Sequence, residues 1–400
     1  MSDGLNMGDV KLKQFVDLVK YSIEDGEYEP FLALGPAGIG KTQMLHQLAE
    51  EMGIGYKEMR LIHLSEIDLK GIPTLKEGEG GTRSSFASIE DLPYVDTDGE
   101  TGVLVLDEIT SANSAVRAAC FQLLDSSRGI GKYKLPPKWI VVCLGNGPED
   151  GGKYVGLESA FISRCESYRV NCNVEDWTKW AIQNGINKAV TAFVQNEPSF
   201  LHKLDPEAED GVVFPCPRSW ERLSKSLNRF EKRAKGLVKS REDIRVWASG
   251  TIGNEAASKF ATFYMLQNDI VGADDILSGR KGIKDVDIKN KDAIYLTVYS
   301  ITDKLRDMID NYPDDGTNLL EGDMLNKVAA GFNFMLDLTE YQFDYGYMGI
   351  RNIGCIPRLR MAIITDNRGL GNKKNEVGIH TLCPKLIDFL NKNSHLFDQQ

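Results

Sequence analysis

Short unbroken apolar runs alternate with stretches whose apolar positions recur every three or four residues. Phe31–Leu34, Val103–Leu106 and Trp139–Leu144 are the unbroken runs. They show no polar alternation, which predicts strands buried on both faces, as in a parallel sheet. Met59–Leu64 and Glu166–Val170 read as two further strands. Between these, Val10, Leu12, Phe15, Val16, Leu18 and Val19 predict a helix over 9–25. Met44, Leu45, Leu48, Ala49 and Met52 predict a second. Val116, Ala119, Cys120, Leu123 and Leu124 line one face of a third, opened by Ser111 or Asn113 as cap. Ser159–Arg164 reads as a short helix. Strands alternating with helices predict an α/β fold around a parallel sheet.

From about residue 173 the strand pattern stops. Trp177, Trp180, Ala181 and Ile182 fall on one helix. Pro217 suits the first turn of another, with Trp220, Leu223, Leu227 and Phe230 at spacings of three, four and three. Arg218 then stands at that helix's start. The basic stretch 229–241 is interleaved with acids and reads as a solvated face or linker. Three later apolar faces follow: Ala256–Tyr264, Ile294–Ile309 and Met324–Leu336. Residues 268–290 read as a polar loop, and Tyr341–Tyr347 as an aromatic cluster in a core or subunit interface. The predicted organisation is a core over 1–172, a small helical region over 173–235 and a mainly helical C-terminal region over 236–400. The core carries two insertions. One lies near 68–90, where Gly78–Thr82 suggests a hairpin or a mobile loop, and the other is a small hairpin at 128–137.

Candidate chemistry concentrates where the apolar runs end. After Phe31–Leu34 comes Gly35-Pro36-Ala37-Gly38-Ile39-Gly40-Lys41-Thr42, and then a helix. Strand, glycine loop, helix is the context of a phosphate-binding loop. Gly35, Gly38 and Gly40 let successive N–H groups turn inward onto an anion, at the positive end of the new helix. Lys41 would reach the terminal phosphates and Thr42 would bind Mg²⁺. These loop residues, with Met44 in the first helical turn, are the candidate nucleotide contacts. The plain alternative is a Gly-rich turn. The run Val103–Leu106 ends in Asp107-Glu108, two acids at the carboxyl end of a buried strand, where ligands of open α/β sheets bind. Asp107 would hold Mg²⁺, and Glu108 would orient and deprotonate a water. Otherwise they begin a turn. Asn146, just beyond Trp139–Leu144, is either a turn residue or an amide beside the terminal phosphate.

Composition narrows the setting. The formal net charge of −11 argues against a protein that coats nucleic acid or anionic membrane. No stretch approaches a membrane span, and the polar start lacks a signal-peptide core, so a cytoplasmic protein is expected. The seven cysteines form no Cys-x-x-Cys pair and read as reduced, mostly buried thiols. The five histidines show no metal-ligand spacing.

These residues together resemble the AAA+ ATPases, and within them the MoxR-like group. Gly35–Thr42 is similar to Walker A, Val103–Glu108 to Walker B, and Asn146 to the sensor-1 asparagine. Arg164, in Phe161-Ile162-Ser163-Arg164-Cys165, stands where the family has its arginine finger. Pro217-Arg218-Ser219-Trp220-Glu221 looks like the sensor-2 region, and the two insertions look like the group's extra hairpins. The resemblance covers about residues 10–235 and thins beyond 250. It implies an AAA+ P-loop core with a small helical lid at 173–235 and an ATP-driven ring, usually a hexamer, with ATP and Mg²⁺ between subunits. Arg164 would then act on the neighbour's γ-phosphate, and Arg218 would couple nucleotide to the lid. It further implies chaperone-like remodelling or maturation of partner proteins, with a separate von Willebrand factor A partner. Nothing between the hairpins resembles an aromatic-Gly pore loop, so threading is not expected. Two other readings stand beside this one. One is a nucleic-acid-remodelling motor, against which the acidic balance and the lack of an evident basic stripe weigh. The other is a nucleotide-binding switch with little turnover.

Overall fold

In a computed structural model, the structure describes residues 7–78, 81–86, 89–148, 150, 155–204, 211–267, 270–312, 322–356, 359 and 383–393. The chain divides into two compact units, residues 1–229 with 246–257, and residues 230–245 with 258–400.

The first unit is built on a six-stranded sheet in which every neighbouring pair is parallel. Its strands are β1 (Gly8–Lys11), β2 (Phe31–Leu34), β3 (Gly55–Arg60), β6 (Thr101–Asp107), β9 (Lys138–Gly145) and β10 (Glu166–Asn171). The spatial order is β1-β10-β2-β9-β6-β3. Helices α1 (Leu12–Asp25), α2 (Lys41–Met52) and α5 (Ser114–Leu124) cover it. Alternate residues of each central strand feed opposite cores. Leu32, Leu34, Leu104, Leu106, Val141 and Cys143 pack with Val116, Cys120 and Leu123 of α5. Phe31, Ala33, Val103, Val105, Ile140 and Val142 pack with Phe15 and Val19 of α1 and with Leu45 and Leu48 of α2. The unbroken apolar runs thus reflect burial on both faces, about 1.5–3 kcal/mol for each large side chain. This is the α/β fold around a parallel sheet that the sequence predicts.

Two edge strands escape the sequence pattern. Gly8–Lys11 adds a strand beside β10 where a continuous helix over 9–25 is expected; the helix begins only at Leu12. The second strand runs Gly55–Arg60, four residues before the expected Met59–Leu64. Leu61–His63 is a 3-10 turn that buries Leu61 alone of its three residues. An edge strand has only one paired side and half-exposed faces, so the apolar run does not mark it.

The insertions are hairpins. Helix α3 (Glu66–Lys70) leads into antiparallel β4 (Pro73–Gly78) and β5 (Gly81–Phe86), while Glu79 and Gly80 lie outside the described residues. After the short α4 (Val95–Asp98), β7 (Gly129–Ile130) pairs with β8 (Tyr133–Lys134). Asn113 caps α5, accepting from Ala115 N–H at 3.0 Å, so of the two expected caps Asn113 is used. Past the short α6 (Ser159–Ile162) and β10 no strand follows among the described residues. Helices α7 (Val174–Gln183), α8 (Lys188–Asn196) and α9 (Pro217–Ala234) come next, then α10 (Arg241–Ile252) and α11 (Asn254–Leu266).

The second unit has its own core, on α12 (Ala273–Leu277), α13 (Lys291–Asp310), α14 (Gly322–Thr339), α15 (Phe343–Gly354) and α16 (Pro384–Lys392). The expected loop 268–290 therefore contains a short helix, which buries Ala273, Ile276 and Leu277 in that core. Five residues are too few for periodicity to register. No helix among the described residues is long and apolar enough to cross a membrane.

Trp139 fixes the register of β3 on β6. Gly55 and Gly102 are paired across these strands, and the fully buried indole lies over both. A Cβ on Gly102 would stand 2.6 Å from Trp139 Cζ2 and 2.7 Å from Gly55 O. Gly102→Ala is therefore expected to destabilise the unit by about 1–3 kcal/mol through overpacking. Urea unfolding checks this, and a midpoint equal to the parent's would mean that the indole yields without cost.

Candidate functional site

The carboxyl ends of β2, β6 and β9, three adjacent central strands, gather the loops that the sequence singles out. Gly35 N–H donates to Gly145 O at 3.1 Å, tying the exit of β2 to β9. A Cβ on Gly35 would lie 2.1 Å from Val170 O, so only glycine fits between β9 and β10. Gly38 and Gly40 have φ of +79° and +96°, conformations that side chains resist. Gly40 caps α2 and accepts from Met44 N–H at 3.0 Å. Pro36, Ala37 and Ile39 complete the loop, and Ile39 anchors it by burying its side chain.

Lys41 is buried, and its ammonium donates to Gly35 O at 2.6 Å and Pro36 O at 3.0 Å. Burial pushes its pKa down to about 8, Asp107 and Asp150 pull it up, and Arg218 depresses it further. Thr42 Oγ1 donates to Asp107 Oδ2 at 2.9 Å, joining the loop to β6 across 65 positions of sequence. Asp107 Oδ1 accepts from Glu108 N–H at 2.8 Å. A hydroxyl and a carboxylate in contact are the hard oxygen donors that Mg²⁺ prefers, so Thr42 and Asp107 fit that ion. Glu108 has φ +60°, a strained state for a residue with a side chain, and its carboxylate is exposed.

Thr110, fully buried, accepts from Asn146 N–H at 3.1 Å, while its carbonyl accepts from Val155 N–H at 2.8 Å. Asp150 accepts from Gly147 N–H at 2.6 Å and from Arg169 at 3.0 Å, clamping the turn that follows Asn146. Arg218, at the start of α9, donates its backbone N–H to Gly38 O at 3.1 Å. The sulfur of Cys216 fills the space in which a side chain at Gly38 would lie. His202 Nε2 is 3.2 Å from Ala37 O, and a carbonyl only accepts, so Nε2 carries the proton. Burial lowers the pKa of His202.

Lys41, Thr42, Asp107, Glu108, Asn146 and Arg218 are thus brought to one end of the sheet. The side-chain polar groups of Glu108, Asn146 and Arg218 make no hydrogen bond to protein among the described residues. Arg164 is held elsewhere, by Asp125 at 2.5 Å, by Ala160 O at 2.6 Å and over the Phe121 ring. Thr110, Asp150, Arg169 and His202 escape the sequence reading. An Asp in a Gly-rich turn does signal side-chain bonding to nearby backbone, which would have marked Asp150; His202 carries no local signal.

Comparison with known proteins agrees with this geometry. Residues 30–165 match the AAA domain of the dynein-related subfamily. The chaperone protein ClpB of Prochlorococcus marinus is 34% identical over 229 residues, covering 52% of this chain and 23% of its own length. ClpB of Yersinia enterocolitica is 33% identical over 115 residues, covering 26% of this chain and 12% of its own. The chain therefore spans a quarter or less of the length of these relatives. The Holliday junction branch migration motor RuvB of Thermotoga maritima is 15% identical, with 67% of this chain and 80% of that one covered, at a TM-score of 0.35.

Lys41 yields a pH-dependent prediction. Its pKa is about 8 in the folded chain and 10.5 for an ordinary lysine. Between these the unfolded chain binds more protons, so the stability this residue contributes rises with pH through that window. Relative to Lys41→Met, the ligand-free parent should gain about 2 kcal/mol between about pH 7.5 and about pH 9.5. Urea unfolding of both at the two pH values measures it. A constant difference would mean that the buried amine does not titrate there.

Proposed function

We propose that the chain is a Mg²⁺-dependent ATPase of the AAA+ class, MoxR-like, that works as a ring, most simply a hexamer, on partner proteins. The observation that carries the reading is the Thr42–Asp107 hydrogen bond, which joins the glycine loop to the last residue of β6, directly before a second, exposed acid, Glu108. Binding alone would not need Glu108. Its exposed carboxylate just past the end of β6 is available as a base for water.

In this reading the loop N–H groups and Lys41 bind the phosphates of ATP. Entry of the phosphates adds negative charge beside a Lys41 that burial has stripped of water. Thr42 and Asp107 would hold Mg²⁺, which when bound neutralises phosphate charge. Glu108 orients water and takes its proton, and Asn146 fixes that water's other side. Lys41 and a neighbour's Arg164 offset the charge that develops on the transferred phosphoryl group. Arg218 reads the nucleotide from α9, and its backbone bond to Gly38 ties the 173–235 region to the loop. Protein remodelling is supported by the kinship of sequence with proteins named as chaperones. A separate polypeptide with a von Willebrand factor A domain is the expected partner, and the cytoplasm the expected compartment.

A nucleic-acid motor is the second reading. Arg222, Lys225 and Arg229 are exposed at spacings of three and four on one face of α9, a short basic row that the mixed sequence conceals. The net charge of −11 opposes it. ATPase activity stimulated by DNA at physiological salt would favour this reading over the first.

Glu108→Gln should keep nucleotide binding and lose ~10²–10⁴ in turnover. Arg164→Ala should lose ~10³–10⁵, and mixing it with Glu108→Gln subunits should restore part of the rate. Steady-state phosphate release and binding of a fluorescent ATP analogue measure both effects. Turnover unaffected by Glu108→Gln would end the hydrolytic reading. A chain that stays monomeric by mass with ATP and Mg²⁺ would end the shared site.

A further inference from the structure

We propose that Asp125 is the positioning residue for Arg164. This rests on the reading of Arg164 as the group that completes a neighbouring subunit's site. Arg164 Nε donates to Asp125 Oδ1 at 2.5 Å, and Nη1 donates to Ala160 O at 2.6 Å. The guanidinium carbon stands 4.6 Å from the centre of the Phe121 ring. Two nitrogens of the guanidinium are therefore bound, one to a carboxylate and one to a carbonyl, and one face lies over an aromatic ring. A guanidinium has five N–H donors, and these contacts use two. The guanidinium makes no further hydrogen bond among the described residues. Nη2 and the second Nη1 hydrogen remain for a ligand, on a side chain that is 35% exposed.

The anchor is itself fixed. Asp125 ends α5, directly after Leu124, and its carbonyl accepts from Arg128 N–H at 2.8 Å. Phe121 sits one turn earlier on the same helix and packs edge-on against the buried Phe161. A long side chain with four rotatable bonds is thus held by a helix that begins just past Glu108. A finger that acts across an interface gains most from such holding, because its own subunit offers no phosphate to orient it. Freed of Asp125, Arg164 would keep its charge and lose its single orientation, a loss that falls on kcat. KM for ATP would stay near the parent's, because the finger offsets charge that develops only as the phosphoryl group is transferred.

Subunit mixing separates positioning from a purely structural role. Asp125→Ala should lower kcat by ~10–100-fold, less than Arg164→Ala, with the fluorescent ATP analogue still bound. In equal mixtures with Glu108→Gln, turnover should exceed the sum of the two alone. Each Glu108→Gln subunit then lends a held Arg164 to the intact hydrolytic site of an Asp125→Ala neighbour. Asp125→Glu should recover part of the rate. Asp125→Asn, which keeps the shape and an acceptor oxygen, decides the matter if the alanine variant does not fold: a several-fold loss repaired by the same mixing supports the proposal. Parent-level or faster turnover in Asp125→Ala or Asp125→Asn overturns it, as does a loss that mixing does not repair while Arg164→Ala is repaired. If Arg164→Ala keeps full turnover, it is the finger reading that fails.

Discussion

The site depends on how little room the sheet leaves at the end of β2. Gly35 sits between two neighbouring strands, its N–H bonded to Gly145 O and its α-carbon against Val170 O. A side chain there would collide with backbone, which cannot swing away as a flexible side chain can. That contact fixes where the phosphate loop leaves the sheet. Lys41 and Thr42 follow at the start of α2, and Thr42 meets Asp107 only because β6 lies one strand beyond β9. Burial of the central strands on both faces makes these distances rigid, since sliding one strand would expose two cores at once.

Electrostatics oppose the same arrangement in the absence of ligand. A lysine driven into the interior loses hydration, and two backbone carbonyls replace only part of it. Two acids and an arginine surround it, with effects of both signs. Nearby, Glu108 holds a backbone conformation that costs of order 1–3 kcal/mol. A buried cation and a strained acid at one end of a sheet lower stability and add nothing to packing. An incoming polyphosphate would offset the first of these costs, which is why the pairing of burial with strain points to a ligand.

Much of this was legible in the sequence, and physics says which parts. Strands buried on both faces announce themselves as unbroken apolar runs, so β2, β6 and β9 were readable, and with them the loops at their ends. Edge strands carry no such mark: Gly8–Lys11 was absorbed into the helical pattern of α1, and Gly55–Arg60 was displaced onto the apolar residues that follow it. The phosphate loop and the Asp107-Glu108 pair were readable because their chemistry is local in sequence. Thr110 and His202 meet backbone reached through the fold, across 36 and 165 positions, and Asp150 pairs with the Arg169 side chain across 19. Short-range spacing cannot report such pairs. Arg164 was singled out by the family resemblance from its place before the last strand; its anchor Asp125, 39 positions away, carried no such signal.

The same long-range bonds join the two halves of the proposed chemistry. Thr110 follows Glu108 by two residues and holds Asn146 through its hydroxyl and Val155 through its carbonyl. Arg117, buried on α5, donates to Val155 O at 3.2 Å and Gly156 O at 3.1 Å, and its Nη2 lies 3.6 Å from Glu158. Val155 and Gly156 lead directly into α6, whose Ala160 holds Arg164. Beginning at Glu108, every step to Arg164 is therefore a hydrogen bond or a short stretch of backbone. Thr110 is fully buried, and moving it would break its bonds to Asn146 and Val155 together. A change at the end of β6 cannot be absorbed locally. It reaches the Asn146 backbone on one side and the segment that carries Arg164 on the other.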